Sequence, residues 1–283
     1  ACSSEIASRK PTPQAWPKCG SYELIEQLSN GKAASIYLAR EHRQAATDVI
    51  VKVLPPGNSL PNELPDWEQQ ALLLQRIDHP NIVRCLEAGL VQGDGNGYLA
   101  MPRVIGETLW DLIQRDGRLA QTRALPLLKQ IASAVSAVHA LDYIHGDLAP
   151  KNVMVSEDER ITVIDFGLAR PIDSTRFAHV RGTPAFMSPE SCGAADSAIP
   201  IGQASDIYSF GCLAFFMLTG KLAVDGATSI EILWKQIHAS PPRASSQAAF
   251  SISEALDELI SQCLEKSPET RPSSMAHVLS RLQ

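Results

Sequence analysis

The sequence predicts an α+β chain of two lobes, in which a β-rich segment is followed by a helical one. Short runs rich in β-branched and aromatic residues begin at Tyr22 and continue to Met101. After Gly106, apolar residues recur at spacings of three and four, as on the buried face of a helix. By this pattern the strand-rich part has roughly 80 residues and the helical part roughly 175. A chain of this kind is expected to bind its ligand in the cleft between the lobes.

The first segment should contain five strands and one helix. Residues 1–21 are rich in Ser and Pro and show no periodicity, which predicts a flexible N-terminal extension. Leu72, Leu73 and Ile77 form an apolar stripe that predicts a helix over 61–77. The run GDGNG is a strong turn signal before the last strand. The strands are expected, in chain order, at 22–28, 35–39, 49–54, 82–87 and 98–101.

Three helices stand out in the second segment. The first is indicated by apolar residues at helical spacing: Leu128, Ile131, Val135 and Val138. A second, strongly apolar helix is expected over 206–218, with Gly220 as its left-handed cap. A third is expected over 254–264, where either Ser251 or Ser253 could provide the N-terminal cap.

The composition is that of a globular protein. The chain has 283 residues, 45% of them hydrophobic and 20% charged, with a net charge of −6. It is therefore not a fully disordered, collagen-like or coiled-coil chain. The acidic balance argues against nucleic acid as a partner, although it leaves room for a local basic groove. The apolar stretch 207–218 is shorter than the roughly 20 residues that span a bilayer, so we expect no membrane insertion by this chain.

The cysteines are scattered and contain no Cys-x-x-Cys pair: Cys2, Cys19, Cys85, Cys192, Cys212 and Cys263. This pattern predicts reduced thiols and a cytoplasmic location. Arg9 and Lys10 are followed by prolines rather than by the apolar core of a signal peptide. The chain ends soon after its last predicted helix, which would also suit the cytosolic domain of a longer membrane-anchored protein.

Two short segments after the long helix indicate phosphoryl-transfer chemistry. One reads HGDLAPKN over 145–152, and the other reads IDFG over 164–167. An aspartate in either segment alone is more often a turn or cap residue. Together they suit phosphoryl transfer from ATP, which needs Mg²⁺ held by hard oxygen ligands and a carboxylate near the attacking hydroxyl. Asp165 and Asn152 would supply the metal ligands, and Asp147 would orient the hydroxyl and accept its proton.

At these residues the sequence resembles the protein kinase family, and the resemblance covers nearly all of 22–283. Other segments match in the family's order: VIVK at 49–52, HPNIV at 79–83, GTPAFMSPE at 182–190, SDIYSFG at 205–211 and Arg-Pro at 271–272. Ser188 stands where the family has Ala, and Arg271 would pair with Glu190. The resemblance implies a bilobal protein kinase fold, with a β-rich N-lobe over 22–101, a hinge over 102–106 and a helical C-lobe over 107–283. ATP would lie in the cleft between these lobes.

The resemblance also implies the site residues and cofactors. Asp147, Lys52 and Lys151 would be catalytic, and Mg²⁺ or Mn²⁺ would be held by Asn152 and Asp165. The nucleotide would be bound by residues of both lobes: Gly31, Ile36, Ile50, Lys52, Met101, Pro102, Val104, Asn152, Met154 and Asp165. Met101 would be the gatekeeper. Pro102 has no N–H, but its carbonyl can accept from the adenine amine, and Val104 can offer both backbone groups.

The glycine-rich loop and the helix glutamate depart from the family pattern. In the loop only Gly31 remains, with Ser29 and Ala34 at the other glycine positions, so we expect weakened ATP affinity. Gln70 stands where the family has the glutamate that pairs with the lysine, here Lys52. A glutamine can donate to or accept from Lys52 but cannot neutralise it. The other interpretation is a surface glutamine in a slightly shifted helix.

The catalytic loop departs as well. Gly146 replaces the arginine that meets an activation-loop phosphate, so a phosphorylated Ser174 or Thr175 would lack its main charge partner. Ala149 stands where serine/threonine kinases carry a lysine. Lys151 would instead provide the cation near the transferred phosphoryl group, as a residue at this position does in tyrosine kinases.

Three functions remain open at this point. The first is an active serine/threonine protein kinase of the eukaryotic-like (Hanks) type, similar to the bacterial members of that group. In it, Thr183 would form a hydrogen bond near Asp147. Its partners would be protein substrates with Ser/Thr acceptors and an activating protein or a dimer. The second is a weakly active or inactive pseudokinase that acts as a nucleotide-binding scaffold, which Gln70 and the degraded glycine loop favour. The third is a small-molecule phosphotransferase, which often has His-Gly-Asp but lacks the Ala-Pro-Glu segment and closing arginine.

Overall fold

A computed structural model describes residues 16–31, 33–42, 44–56, 64–172, 181–193 and 200–283. The chain divides into two compact units. The first takes the residues up to Glu68 together with Leu86–Arg103. The second takes Gln69–Cys85 together with Val104–Gln283. These two units differ in their boundaries from the lobes and hinge that the sequence predicted, and the boundaries of those lobes and of the hinge remain predictions.

The first unit is built on a five-stranded antiparallel sheet with the order β1-β2-β3-β5-β4. Its strands are β1 Tyr22–Asn30, β2 Ser35–Glu41, β3 Gln44–Leu54, β4 Glu87–Leu90 and β5 Gly97–Pro102. Along β3, Val49, Val51 and Val53 are buried in the core of this unit. The residues between them point to the opposite face because side chains alternate along a strand. This alternation assigns Ile50 and Lys52 to the other face.

The N-terminal segment before β1 is packed rather than flexible over its last residues, which corrects the expectation for 16–21. Cys19 is fully buried in the core of the first unit, and Trp16 makes an edge contact with Tyr37 at 5.4 Å. The Ser21 hydroxyl donates to Glu87 of β4 at 3.0 Å. Burial raises the pKa of the Cys19 thiol to about 11. The apolar residues Trp16 and Cys19 are the sequence signal that could have predicted this packing. Residues 1–15 lie outside the described part of the chain.

Several element boundaries differ from the prediction; β3, for example, begins at Gln44 rather than at residue 49. The helix expected over 61–77 is α1, Asp66–Arg76, and residues 61–63 lie outside the described part. Leu73 and Ile77 are buried, but Leu72 is 43% exposed, so the apolar stripe does not include it. The strand expected over 82–87 is β4, which only begins at Glu87. Ile82 forms an isolated bridge with Val163, and Val83 N–H bonds to Val163 O, outside the five-stranded sheet. Leu86 N–H donates to Ala100 O of β5 at 2.8 Å, directly before the strand begins.

The second unit is mainly helical and has two small sheets, of order β6-β8-β9 and β10-β7. Its strands are β6 Glu107–Thr108, β7 Tyr143–Ile144, β8 Val153–Val155, β9 Ile161–Val163 and β10 Arg170–Pro171. After α1, its helices are α2 Leu109–Asp116, α3 Gln121–His139, α4 Pro189–Cys192, α5 Gln203–Thr219, α6 Ser229–His238, α7 Ala244–Gln247, α8 Glu254–Cys263 and α9 Met275–Arg281. Short 3₁₀ turns cover Pro150–Asn152, Pro184–Phe186 and Pro268–Thr270.

Helix α5 is the centre of the second unit. It is buried from Ser205 to Thr219, as expected for a helix that is apolar on all sides. Gly220 ends it in the left-handed conformation, with φ 70° and ψ 7°, which confirms the predicted cap. Within the described ranges, no helix is both long and apolar enough to cross a membrane.

Candidate active site

The segment 145–152 is anchored to α5 through one buried carboxylate. Asp206 Oδ2 accepts from the backbone N–H of His145 at 2.7 Å, and Oδ1 accepts from that of Gly146 at 3.0 Å. His139 of α3 also donates from Nε2 to Oδ2, at 2.8 Å. Burial alone would raise the pKa of Asp206, but these bonds hold it below the ordinary value. The sequence placed Asp206 in a helix but gave no signal that it holds the catalytic loop.

Gly146 has a backbone conformation that suits glycine. Its φ is +78°, and a Cβ at this position would lie 2.7 Å from the carbonyl oxygen of Leu168. Both the dihedral angle and the close approach disfavour an L side chain. The glycine in place of the family's arginine therefore fits the local backbone of this chain.

Asp147 is the one carboxylate of the segment 145–152, and both of its oxygens accept hydrogen bonds. Its Oδ1 accepts from both the backbone N–H and the hydroxyl of Thr183, each at 2.9 Å. Its Oδ2 accepts from Asn152 Nδ2 at 3.1 Å. The same nitrogen donates to the backbone oxygen of Asp147 at 2.9 Å. Thr183 thus lies against Asp147, as the sequence predicted.

Asn152 and Asp165 lie on neighbouring chain segments. Strands β8 and β9 pair Val153 with Val163, and Ile164 N–H continues this ladder by donating to Asn152 O at 3.0 Å. The Asn152 amide nitrogen donates to Asp147, so the Oδ1 atom of Asn152 is the one that can bind a cation. Asp165 Oδ1 accepts from Gly167 N–H at 2.8 Å. An amide oxygen and a carboxylate are hard oxygen ligands and fit a divalent cation such as Mg²⁺.

Lys151 is solvent-exposed in the 3₁₀ turn between Asp147 and Asn152. Its ammonium lies over the ring of Trp110, 5.4 Å from the ring centroid. Met154, in β8, is half-buried and pairs with Thr108 of β6. Val104 is half-buried just before β6, in the same unit.

The remaining expected nucleotide-binding residues lie in the first unit. Lys52 is paired with Ile36 of β2, and Ile50 with Met101 of β5. Because directly paired residues share a face of the sheet, these residues line one face, the one opposite the core. Lys52 is only 7% exposed there.

The turn at Gly31 and the end of β5 complete the predicted set. Gly31 N–H closes the turn between β1 and β2 by donating to Ala34 O at 3.0 Å, while Lys32 lies outside the described residues. Pro102 ends β5 opposite Val49. The expected site residues are thus distributed over both units: Gly31, Ile36, Ile50, Lys52, Met101 and Pro102 in the first, and Val104, Asp147, Lys151, Asn152, Met154 and Asp165 in the second.

Gln70 is buried on α1, with 3% of its surface exposed. This burial excludes the interpretation as a surface glutamine. Further along, His79 and Asn81 fix the turn after α1. His79 contacts the Ser133 hydroxyl at 2.9 Å, and Asn81 Nδ2 donates to Ile161 O at 2.8 Å.

Glu190 and Arg271 form the buried ion pair that the sequence predicted. Arg271 Nη1 and Nη2 donate to Glu190 Oε1 and Oε2 at 2.8 and 2.9 Å. Ser205 also donates to Oε1, at 2.7 Å. Burial would raise the pKa of Glu190, but the Arg271 guanidinium and the Ser205 hydroxyl hold it below its ordinary value. The pair joins the end of the 182–190 segment to the chain after α8.

Arg170 connects the chain after the IDFG segment to the segment 145–152. It lies in β10 and pairs with Ile144 of β7, which directly precedes that segment. Residues 173–180, with Ser174, Thr175 and Arg176, lie outside the described part.

Comparisons with known proteins agree with this geometry. The family described as the protein kinase domain matches residues 22–281. A probable serine/threonine-protein kinase of Clostridium acetobutylicum is 32% identical over 92% of this chain and 39% of its own length. PrkC of Bacillus subtilis is 30% identical over 88% of this chain and 38% of its own length. PknB of Mycolicibacterium smegmatis is 30% identical over 92% of this chain and 42% of its own length.

This chain thus spans less than half of each of these relatives, which are named serine/threonine-protein kinases. The match to the family extends over most of the chain, from the first strand of the sheet to the last helix. The chain therefore belongs to the protein kinase domain family.

Proposed function

We propose that this chain transfers the γ-phosphate of ATP to serine and threonine hydroxyls of protein substrates. A protein kinase domain uses ATP together with a divalent metal ion. The observation that carries the proposal is the Asp147 carboxylate, whose Oδ2 is held by Asn152 and whose Oδ1 is held by Thr183. A carboxylate fixed in this way is suited to orient an acceptor hydroxyl and to take its proton.

The other residues are assigned by their chemistry and position. Mg²⁺ is the proposed metal, with Asn152 Oδ1 and Asp165 as its ligands; bound Mg²⁺ would neutralise phosphate charge. Lys52 would hold the phosphates, and Lys151 would offset charge in the transferring group. Gly31, Ile36, Ile50, Met101, Pro102, Val104 and Met154 would surround the rest of the nucleotide.

The names of the relatives support a catalytic role over a nucleotide-binding scaffold, since they are serine/threonine-protein kinases. The Glu190–Arg271 pair supports a protein kinase over a small-molecule phosphotransferase. We further propose a cytoplasmic site of action and an activating protein partner or dimer.

The test is incubation with ATP and Mg²⁺ in the presence of a generic protein acceptor, followed by mass spectrometry of both proteins. We expect phosphate on serine and threonine residues. Asp147→Asn should reduce turnover by roughly 10²–10⁴-fold and leave nucleotide binding unchanged, because it removes the proton acceptor and keeps both proposed metal ligands. Asp165→Asn should weaken binding of Mg²⁺–ATP itself, because it removes a metal ligand.

Asp142→Asn is the matched control, since Asp142 is exposed just before the same segment. Asparagine also tolerates its left-handed φ of 59°. Full turnover in Asp147→Asn would refute the assignment of this loop. Replacing Mg²⁺ with Mn²⁺ in the wild type tests the choice of metal.

A further inference from the structure

The ammonium of Lys151 has an aromatic neighbour that the proposed chemistry does not explain. It lies 5.4 Å from the ring centroid of Trp110. Within the described part of the chain, Lys151 forms no hydrogen bond or ion pair. The ring face is therefore its main protein contact, and a cation over an indole face is attracted by the ring's negative charge density.

Trp110 is itself held by a layer of aromatic rings. Its ring stacks on Phe216 of α5, with centroids 5.2 Å apart and planes 14° apart. Phe216 is buried and makes an edge contact with Phe186 at 6.1 Å. Phe186 belongs to the 182–190 segment, so the stack links the Lys151 turn to the segment that carries Thr183.

The helix that carries Trp110 is fixed at both ends. Before its first turn, Thr108 pairs with Met154 of β8, which follows the Lys151 turn directly. After its last turn, Leu119 N–H donates to Met217 O of α5 at 2.7 Å. The Trp110 ring therefore has a defined position relative to both the catalytic segment and α5.

We propose that Trp110 is a positioning residue, whose ring holds the Lys151 ammonium inside the loop that carries Asp147 and Asn152. This inference rests on the proposed function, in which Lys151 offsets charge that develops during phosphoryl transfer. A lysine side chain is flexible and loses considerable rotamer entropy when it is fixed. If the Trp110 ring already holds the ammonium in place before the reaction, less rotamer entropy is lost on reaching the transition state.

The expected effect is on turnover rather than on nucleotide binding. Cation–π contacts at exposed sites are worth roughly two- to fivefold in an equilibrium. Trp110→Leu should therefore lower kcat by roughly that factor, while the KM for ATP stays within about twofold. Trp110→Phe keeps an aromatic face in contact with Phe216 and should retain most of the wild-type kcat.

A double-mutant cycle with Lys151→Met separates positioning from packing. If Trp110 acts through Lys151, Trp110→Leu should cost little further kcat once Lys151 is methionine. An equal loss in both backgrounds would mean that Trp110 only packs, and would overturn the inference. Full kcat in Lys151→Met would overturn it too, together with the role of Lys151, whereas Asp147→Asn tests the kinase assignment separately.

A second readout needs no activity and does not depend on the leucine variant folding. The ε-methylene protons of Lys151 should resonate upfield in NMR spectra, because their carbon is bonded directly to the nitrogen that lies over the indole ring. Lys151→Met identifies their signal. Trp110→Phe should change this shift. An unshifted ε-methylene signal in the wild type would contradict the contact itself.

Discussion

Thr183 donates two hydrogen bonds to a single oxygen of Asp147: its backbone N–H and its hydroxyl both reach Oδ1, each at 2.9 Å. The two residues are 36 positions apart in the chain. The 182–190 segment is fixed in turn by Ser209, which donates to Phe186 O at 2.7 Å, and by Gln236, which donates to Pro184 O at 3.1 Å. The orientation of the proposed catalytic carboxylate therefore depends on the docking of this segment on α5 and α6.

Thr183→Val should lower kcat, because valine keeps the shape and the backbone bond but removes the hydroxyl bond. Hydrogen bonds to charged groups contribute roughly 1.5–3 kcal/mol, which corresponds to a decrease of roughly tenfold or more. Thr183→Ser, which keeps the hydroxyl, is the control and should remain close to wild type. Steady-state kinetics with a peptide acceptor measures both; equal kcat in valine and serine variants would contradict the role.

Gly146→Ala should destabilise the fold more than Gly117→Ala. Both glycines have φ +78°, but an added Cβ meets nothing within 4 Å at Gly117 and lies 2.7 Å from Leu168 O at Gly146. The left-handed φ costs roughly 1–2 kcal/mol in either variant, and the contact with Leu168 adds to it only at Gly146. Urea denaturation of both variants measures this difference in unfolding free energy. A similar loss of stability in the two variants would show that the contact with Leu168 adds no cost.

Gln70→Glu should raise kcat or leave it unchanged. The resemblance to the family assigns Gln70 to the position of the glutamate that pairs with the lysine, and a carboxylate could neutralise Lys52 where an amide cannot. Gln75→Glu adds the same charge on the exposed side of α1 and should have no effect. A marked loss of kcat in Gln70→Glu alone would show that the active state requires a neutral side chain there.

Arg271→Ala should cost about 3–5 kcal/mol of unfolding free energy, because it leaves the buried Glu190 carboxylate without its charge partner. Arg160→Ala removes an exposed pair with Asp158 and should cost less than about 1 kcal/mol. The folded-state pKa of Glu190 is lowered from 4.5, so the pair stabilises the fold fully above that pH. This contribution is lost as pH falls through the lowered pKa.

Chemical denaturation of wild type and Arg271→Ala at neutral pH and near pH 3 measures this contribution. The difference between the two proteins should shrink at the lower pH. A difference that stays constant, or that grows as pH falls, would show that the ion pair is not its source.

Activity is expected not to require phosphate on Ser174 or Thr175, which lie outside the described residues. Gly146 has no side chain that could bind such a phosphate, so the loop must be ordered by packing, by substrate or by a partner. A Ser174→Ala/Thr175→Ala double variant should keep most of its turnover on an added substrate. A hundredfold loss of turnover in this variant, reversed by acidic residues at both positions, would refute the expectation. Arg170, which pairs with Ile144 next to the segment 145–152, would then be the first cation to test as the phosphate partner.

The sequence by itself determined several of the main elements and the chemistry that the motifs carry. The period of two in β3 and the continuous apolar run of α5 are local patterns, and Gly220 ends its helix through its own φ. The order of the kinase motifs likewise predicted the contacts of Asp147 with Thr183 and of Glu190 with Arg271. These features follow from residue type and spacing, or from a family pattern in which such pairs are already known.

Only the tertiary structure decided which distant groups meet. Asp206 reaches Gly146 across 60 residues, and nothing in the spacing of either residue indicates that contact. The same holds for Trp110 beneath Lys151 and for the packing of Trp16 and Cys19 on the first sheet. Local sequence sets backbone propensity and the polarity of each face. The partner of a buried charge or an exposed cation, however, depends on how remote helices and strands pack, and that is settled only when the whole unit folds.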